Sequence, residues 1–236
     1  MSSEISFTKE NLDTYLKELG KEFRKLNGIK MPAEIILIGG AAVLASYGFR
    51  EKTYDIDAVI LASSAMKEAI NRIGDKMGLP NGWLNTDFKR TKSFSDRLVQ
   101  VSTYYKTFSN ILTIRIIAAE YLIAMKLMSG RRYKNDLSDI AGILMEHQNN
   151  GKPITREAVD KAVNVLYDGW EEIPENSKNL INTAFASDDY ESMFIQYSES
   201  EKQAKQDLLD YEKAYPGELK GENIDSILEQ ARKKRE

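Results

Sequence analysis

The 236-residue sequence has no cysteine and one histidine, His147. The first absence excludes a disulfide framework, a thiolate zinc site and a cysteine nucleophile. The second leaves little room for imidazole chemistry. A metal bound here must be held mainly by carboxylates and phosphates, which suits Mg²⁺ or Mn²⁺ and disfavours zinc. No apolar run approaches the roughly 18 or more residues that span a bilayer. The opening Met1-Ser-Ser-Glu-Ile-Ser-Phe7 also lacks the basic start and apolar core of a leader, so a cytoplasmic protein is expected. Nor does one charge dominate: 33 basic residues against 36 acidic give a net of −3. Without an overall field to draw in nucleic acid, any polyanion must be met by a local patch.

What is present is the composition of a globule. Hydrophobic residues at 42% and charged residues at 29% exclude both disorder and a fibrous repeat, and the length suffices for one large domain or two small ones with a sizeable core. Leu12, Tyr15, Leu16, Leu19, Phe23 and Leu26 recur at spacings of three and four, which predicts a helix over 8–26. The β-branched run 34–38 predicts a strand that stops at Gly39-Gly40, and the alanine-rich segment 41–47 a helix after it. A second strand is expected over 54–61 and a helix over 63–77. Two more strands follow at 98–105, where the residues alternate, and at 111–117, as an antiparallel pair. From residue 118 only helical patterns appear, at 119–129, 136–148, 155–167, 175–186, 188–213 and 222–234. The fold class expected is therefore α+β, a mixed α/β part at 1–117 and an all-helical part at 118–236 packed on it. The acid-rich last third, broken at Tyr215-Pro-Gly217, reads as a helical arm, and the basic run 232–235 as a solvated helix end in preference to a nucleic-acid contact.

Two features suggest chemistry. Asp55 and Asp57 flank Ile56 on one strand, so both carboxylates point to the same face about 7 Å apart, where like charges call for a cation between them. The same residues would also serve as turn caps at a strand edge. A Gly-Gly turn between a strand and a helix N-terminus exposes backbone N–H groups along the helix dipole and suits a phosphate, although many such pairs are plain turns. Strand, Gly39-Gly40, helix and then Asp-x-Asp on the next strand is a far more specific combination.

These residues carry a resemblance. Ile38-Gly39-Gly40-Ala41-Ala42, Arg50, Thr53 and Asp55-Ile56-Asp57 are similar to the nucleotidyltransferase superfamily that includes DNA polymerase β. A second block runs from Tyr121 to Ile140 through Lys126, Arg131, Arg132, Lys134, Asp136 and Asp139. It resembles the minimal bacterial branch of abortive-infection and toxin–antitoxin nucleotidyltransferases (AbiEii-type). The likeness covers about residues 33–145. It implies a small mixed sheet flanked by helices, Mg²⁺ held by Asp55 and Asp57, and a nucleoside triphosphate bound at Gly39, Gly40, Arg50, Thr53 and Lys126. Asp55, Asp57, Lys126 and Asp139 would be the catalytic set, Asp139 orienting the lysine or the base.

Lys126 is the one charge in the apolar run 121–128, so it should face a cleft or an anion, or else reach the surface along its own stem. Arg131, Arg132 and Lys134 would enlarge an anion site or form a solvated helix end. On residue physics alone Asp136 reads better as an N-cap, with Asp139 favourable in the first turn. Trp83 and Asn85 suit either a base contact or a turn, His147 a helix C-terminus, and Tyr121, Tyr167 and Trp170 the core. Two departures from the superfamily stand out. Ala41 replaces a phosphate-binding hydroxyl, and the strand candidates 98–105 and 111–117 contain no acid, leaving Asp87 and Asp96 as the nearest third carboxylates.

The function expected is Mg²⁺-dependent transfer of a nucleoside monophosphate from a nucleoside triphosphate to an acceptor hydroxyl. The acceptor is a tRNA or other RNA end, a protein or a small molecule. The protein would serve as a toxin or in phage defence, with an antitoxin as partner. Against it stand a fold relative that only binds a nucleotide or a partner protein, and a metal-dependent ribonuclease on the same carboxylates.

Overall fold

The computed structural model describes residues 5–233 and 235; Met1–Glu4, at the start of the opening read for a leader, and Lys234 of the basic run lie outside the described residues. The first helical stripe forms α1 (Lys9–Asn27), which buries Leu12, Leu16, Leu19 and Phe23. Strand β1 (Ala33–Leu37) leads into α2 (Gly39–Ser46), then β2 (Ile56–Leu61), α3 (Ala65–Met77), the two-residue β3 (Leu84–Asn85), β4 (Ser102–Phe108) and β5 (Leu112–Ile117). The sheet order is β3-β2-β1-β5-β4. Strand β1 is central, antiparallel to β2 and parallel to β5, and its Ile35, Ile36 and Leu37 are buried. That is why this strand reads as an unbroken apolar run rather than an alternating one.

Six helices follow among the described residues: α4 (Ala119–Ser129), α5 (Asp136–Asn149), α6 (Arg156–Tyr167), α7 (Glu175–Ser187), α8 (Tyr190–Ala214) and α9 (Ile224–Lys233). Helix α4 is buried over every residue from Leu122 to Met128, with α2, α5, α6 and α7 packed around it. Such surroundings require a helix that is apolar on all sides. The expected helical arm is anchored at its start, since α8 lies along α5 with Tyr190, Met193 and Glu201 buried. Its outer half carries α9, and Leu208, Ile227 and Leu228 form a small separate cluster there. The fold class is α+β. No helix among the described residues is long and apolar enough to cross a membrane.

Three expectations need correction. Residues 98–101 of the expected strand 98–105 belong to a 3₁₀ segment over 96–101, and β4 begins only at Ser102. A 3₁₀ turn places residues i and i+3 on one side, so Leu98 and Val101 both face inward without belonging to a strand. Strand β2 starts at Ile56 rather than 54, leaving Asp55 just ahead of it. Strand β3 has too few residues to show any period and was not expected.

The turn from α4 to α5 tests how closely the helices are fitted. Gly130 ends α4 at φ +54°, and a β-carbon there would stand 2.6 Å from the buried Ser177 hydroxyl of α7. Gly130→Ala is expected to lower stability by about 1–3 kcal/mol, from the left-handed backbone and the clash together. Urea denaturation measures it, and an unchanged midpoint would refute this account of the turn.

Candidate functional site

The site begins where β1 ends. The Ile38 N–H donates to the Asp57 carbonyl at 3.1 Å, tying the turn to β2. The two glycines after it serve different needs. Gly39 sits at φ +55°, a backbone that L side chains rarely adopt, and a β-carbon on it would come within 3.7 Å of Asp57 Oδ2. At Gly40 a β-carbon would meet Thr53 Oγ1 at 2.7 Å and Arg50 Nη2 at 3.0 Å, so nothing larger than hydrogen fits. Within α2 the Ala42 N–H finds Ile38 O at 3.2 Å. The N–H groups of Gly39, Gly40 and Ala41 precede it and have no acceptor within the helix, which leaves the positive end of α2 beside the Asp57 carboxylate.

Asp57 is half-buried on β2, while Asp55 is exposed one residue before the strand. Burial, then the Asp55 charge, pushes the Asp57 carboxyl up to about 6. The charge of Asp87 acts in the same direction, and Arg131 and Lys126 oppose it. Asp87 is brought near by β3, whose Asn85 pairs in register with Asp57 and whose side chain accepts the Asp87 N–H at 2.8 Å. Thr53 is buried; its hydroxyl donates to the Asp55 carbonyl at 3.3 Å.

Facing this carboxylate group is a chain of ion pairs. Lys126 Nζ lies 2.8 Å from Asp136 Oδ1 and 2.8 Å from Asp139 Oδ2. Arg50 Nη1 donates to both Asp139 oxygens at 2.7 and 2.6 Å, and Arg131 Nε donates to Asp136 Oδ2 at 2.8 Å. Burial alone would push the Lys126 ammonium down, but Asp136 and Asp139 outweigh it and hold the group above the usual lysine range. Burial likewise opposes ionisation of Asp136, yet Lys126 and Arg131 keep its carboxyl well below the usual carboxylate range. The open readings are thereby decided. Lys126 does not reach solvent along its stem, and Asp136 is the first helical residue of α5 rather than its cap, which is Asn135. Three cations against two carboxylates leave this wall positive.

A cavity of about 420 Å³ lies between the two groups, within the usual range of small-molecule sites. Gly39, Asp57, Asp87, Lys126, Arg131 and Asp136 supply its polar wall, and Phe88, Met125 and Met128 an apolar one. Of the residues singled out in the sequence, the structure thus brings Gly39, Asp57 and Lys126 to one cavity. Gly40, Arg50, Thr53 and Asp139 stand behind the turn, in contact with one another through Arg50 and the Gly40 backbone. Asp55 is not on the cavity wall and acts on it through its charge on Asp57. Trp83 is buried, with its Nε1–H on Ile70 O at 3.1 Å, and Asn85 bonds within its own turn; neither lines this cavity. His147 ends α5 beside the Tyr47 hydroxyl and Lys152 O.

The donors near Asp57 are hard oxygens, suited to Mg²⁺ or Mn²⁺. Among the described residues no group of three or more His, Cys, Asp or Glu stands in metal-holding geometry. A cation at Asp55 and Asp57 would therefore complete its shell with ligand phosphate and water oxygens, as Mg²⁺ commonly does.

Sequence reasoning passed over Glu201 altogether. It comes from α8 and is buried; its Oε1 accepts the Leu137 N–H at 2.8 Å, and its Oε2 accepts from the Ser138 hydroxyl. It therefore closes the N-terminus of the helix that holds Asp136 and Asp139. Burial pushes its carboxyl up to about 8, Ser138 and Leu137 pull back, and the Asp139 and Asp136 charges add to the rise. One of two Glu residues in the polar stretch 198–206, it gives no sequence signal for this role.

A family model described as "Nucleotidyltransferase of unknown function (DUF6036)" matches residues 14–205. No curated protein and no solved structure matches the chain.

The Glu201 shift has a stability consequence. A carboxyl at about 8 when folded and near its ordinary 4.5 when unfolded binds its proton more tightly in the native state. Its contribution is complete below about pH 4.5 and is lost as the pH rises through about 8. Glu201→Gln keeps the shape without the titration. Its stability relative to wild type is expected to rise from pH 5 to pH 9 in urea denaturation; parallel pH profiles would rule out the buried acid as the cause.

Proposed function

The chain belongs to the DUF6036 family of nucleotidyltransferases of unknown function, and from that premise we propose that it moves a nucleoside monophosphate from a nucleoside triphosphate to an acceptor hydroxyl. The observation that supports this reading is the polarity of one cavity. Asp57, with Asp55 behind it, faces the positive wall of Lys126 and Arg131 across the Gly39 turn. A metal-bound polyphosphate has the matching distribution, cation on one side and anionic oxygens on the other. Asp55 and Asp57 would hold Mg²⁺ or Mn²⁺. When bound, the metal neutralises the triphosphate and activates the attacking oxygen. The free N–H groups at Gly39 and Gly40 receive the β- and γ-phosphates and replace the hydroxyl contact that Ala41 lacks. The acceptor oxygen attacks the α-phosphorus, the bond to the β-phosphate breaks, and pyrophosphate leaves as the acceptor proton passes to solvent. No histidine is needed.

Arg50 and Thr53, expected at the nucleotide, also support the turn that receives it. The Arg50 guanidinium is engaged by Asp139 and by Lys52 O, and Thr53 is buried against Gly40, so both position the turn and the lysine. Asp139 orients Lys126 in the same way. The narrower reading, a cytoplasmic toxin or phage-defence enzyme with an antitoxin partner and an RNA, protein or small-molecule acceptor, is supported by the resemblance of the two motif blocks. A second reading is a nucleotide-binding protein without turnover. It is favoured by β4 and β5, which carry no acidic residue to serve as a strand-borne third carboxylate.

Titration calorimetry of each of the four nucleoside triphosphates with Mg²⁺ tests the proposal. Mg²⁺-dependent binding is expected in wild type and is expected to vanish in Asp55→Ala/Asp57→Ala. Absence of Mg²⁺-dependent binding to any of the four would overturn it, and binding without pyrophosphate release over a broad acceptor panel would favour the second reading. The Asp57 carboxyl titrates at about 6 and must be ionised to hold a cation. Affinity for the Mg²⁺–nucleotide complex should therefore hold above that pH and fall by about tenfold per unit below it. Affinity that does not change between pH 7 and pH 5 would remove Asp57 from the metal site.

A further inference from the structure

The loop between α4 and α5 presents consecutive arginines to two different places. Arg131 is turned onto Asp136 and lines the first cavity. Arg132 lines a second cavity, of about 460 Å³, walled by α8 and α9. The two cavities thus take neighbouring residues of the chain into their walls, with α-carbons about 3.8 Å apart. Among the described residues, Arg132, Arg232, Lys233 and Arg235 stand on the second wall with the carboxylates Asp207 and Glu229. Both carboxylates are already engaged, Asp207 by Arg235 and Gln203, and Glu229 by Lys233 at 3.9 Å. Among the described residues Arg132 has no carboxylate partner. Ala204 and the buried Leu228 add an apolar floor.

A guanidinium with no carboxylate beside it, over an apolar floor, suits a phosphate joined to an organic group. Its planar donors take two phosphate oxygens at once, while the attached sugar or base covers the aliphatic side chains. With a net charge of −3 the protein exerts no general pull on anions, so the attraction is local to this cavity. A donor triphosphate at the Gly39 turn leaves the second cavity to another anionic group of the reaction. We propose that the second cavity binds a phosphate ester carried by the acceptor substrate, with Arg132 as its principal contact. The inference rests on the nucleotidyl-transfer reading and names the acceptor's chemistry: a phosphorylated molecule, either a single-stranded oligonucleotide or a small sugar phosphate.

The test uses the full chain with Mg²⁺–nucleoside triphosphate bound, a fluorescein-labelled five-nucleotide single-stranded RNA as probe, and ribose 5-phosphate as competitor. Fluorescence anisotropy should show salt-dependent binding of the RNA. Arg132→Gln is expected to weaken it by about tenfold and to reduce the slope of log affinity against log salt by about 0.7, one phosphate contact on a single strand. Gln203→Glu, which adds a negative charge to the same wall without removing a cation, is expected to weaken it as well. Calorimetric affinity for the Mg²⁺–nucleotide complex should stay within about twofold of wild type in both variants, because neither residue lines the first cavity. Displacement by ribose 5-phosphate at concentrations comparable to its own direct binding would identify a small phosphate ester as the acceptor. Displacement only in large excess would identify the oligonucleotide. Unaltered binding of both probes in both variants would overturn the proposal, as would failure of both probes to bind wild type that binds the nucleotide. Failure of wild type to bind any Mg²⁺–nucleotide would instead sink the transfer reading, and this inference with it.

Discussion

Lys126 lies in a helix that is buried on every side, and an ammonium cannot stay charged there without partners. Asp136 and Asp139 supply them, both within 2.8 Å, and each is shared with an arginine from elsewhere in the chain. The consequences extend well beyond one side chain. Asp139 reaches Arg50, whose guanidinium packs over Gly40, so the register of α5 is tied to the turn that opens α2. Asp136 reaches Arg131, which fixes the direction in which the chain leaves α4. A buried pair of this kind contributes little net stability, but breaking one side typically costs about 3–5 kcal/mol because a charge is left uncompensated. Its effect is therefore on arrangement: the helices can dock on the sheet only in the position that satisfies all five charged groups.

The same arrangement polarises the first cavity. On the sheet side, alternation along β2 and pairing with β3 bring Asp57 and Asp87 together, with Asp55 close enough to be felt. On the helical side the chain of ion pairs ends in a positive excess at Lys126 and Arg131. The Gly39 turn lies between the two, with N–H groups that have no acceptor within α2. Neither wall is comfortable alone, since burial and like charge already push the Asp57 carboxyl towards neutrality. A ligand bearing both a cation and anionic oxygens relieves both walls at once, whereas a bare anion or a bare cation relieves only one.

What could be read in the sequence was what depends on neighbours along the chain. Gly39-Gly40 after a β-branched run and Asp55-Ile56-Asp57 at the entry to the next strand are local patterns, and Lys126 is conspicuous as the lone charge in an apolar helix. The helices were legible for the same reason, their periods being internal. Tertiary partners left no such trace. That Arg50 belongs to Asp139, 89 residues away, and Glu201 to the start of α5, 63 and 64 residues away, follows only from the packing. Asp87 was noticed as a carboxylate but could not be placed, because the strand that brings it to Asp57 is two residues long and has no period. The segment 96–101 misled because inward-facing Leu98 and Val101, three apart, sit among residues that also alternate, and a 3₁₀ turn and a strand share that pattern over so short a run.

Glu201 shows why the last helices belong to the argument about the site. Closing the N-terminus of α5 from α8 buries its carboxyl, which is the main reason it is driven up, and the nearby Asp139 and Asp136 charges add to the rise, while Asp136 is held ionised by Lys126 and Arg131. A neutral acid can accept the Leu137 N–H without adding a third negative charge. The cap thus lets α8 dock on α5 without disturbing the ion pairs one turn away. Helix α8 also forms a wall of the second cavity through Ser200, Gln203, Ala204 and Asp207, a face of the helix about a third of a turn from Glu201. Glu201 therefore ties the helix that walls the second cavity to the helix that carries Asp136 and Asp139, while Arg131 and Arg132 place neighbouring residues on the two cavities.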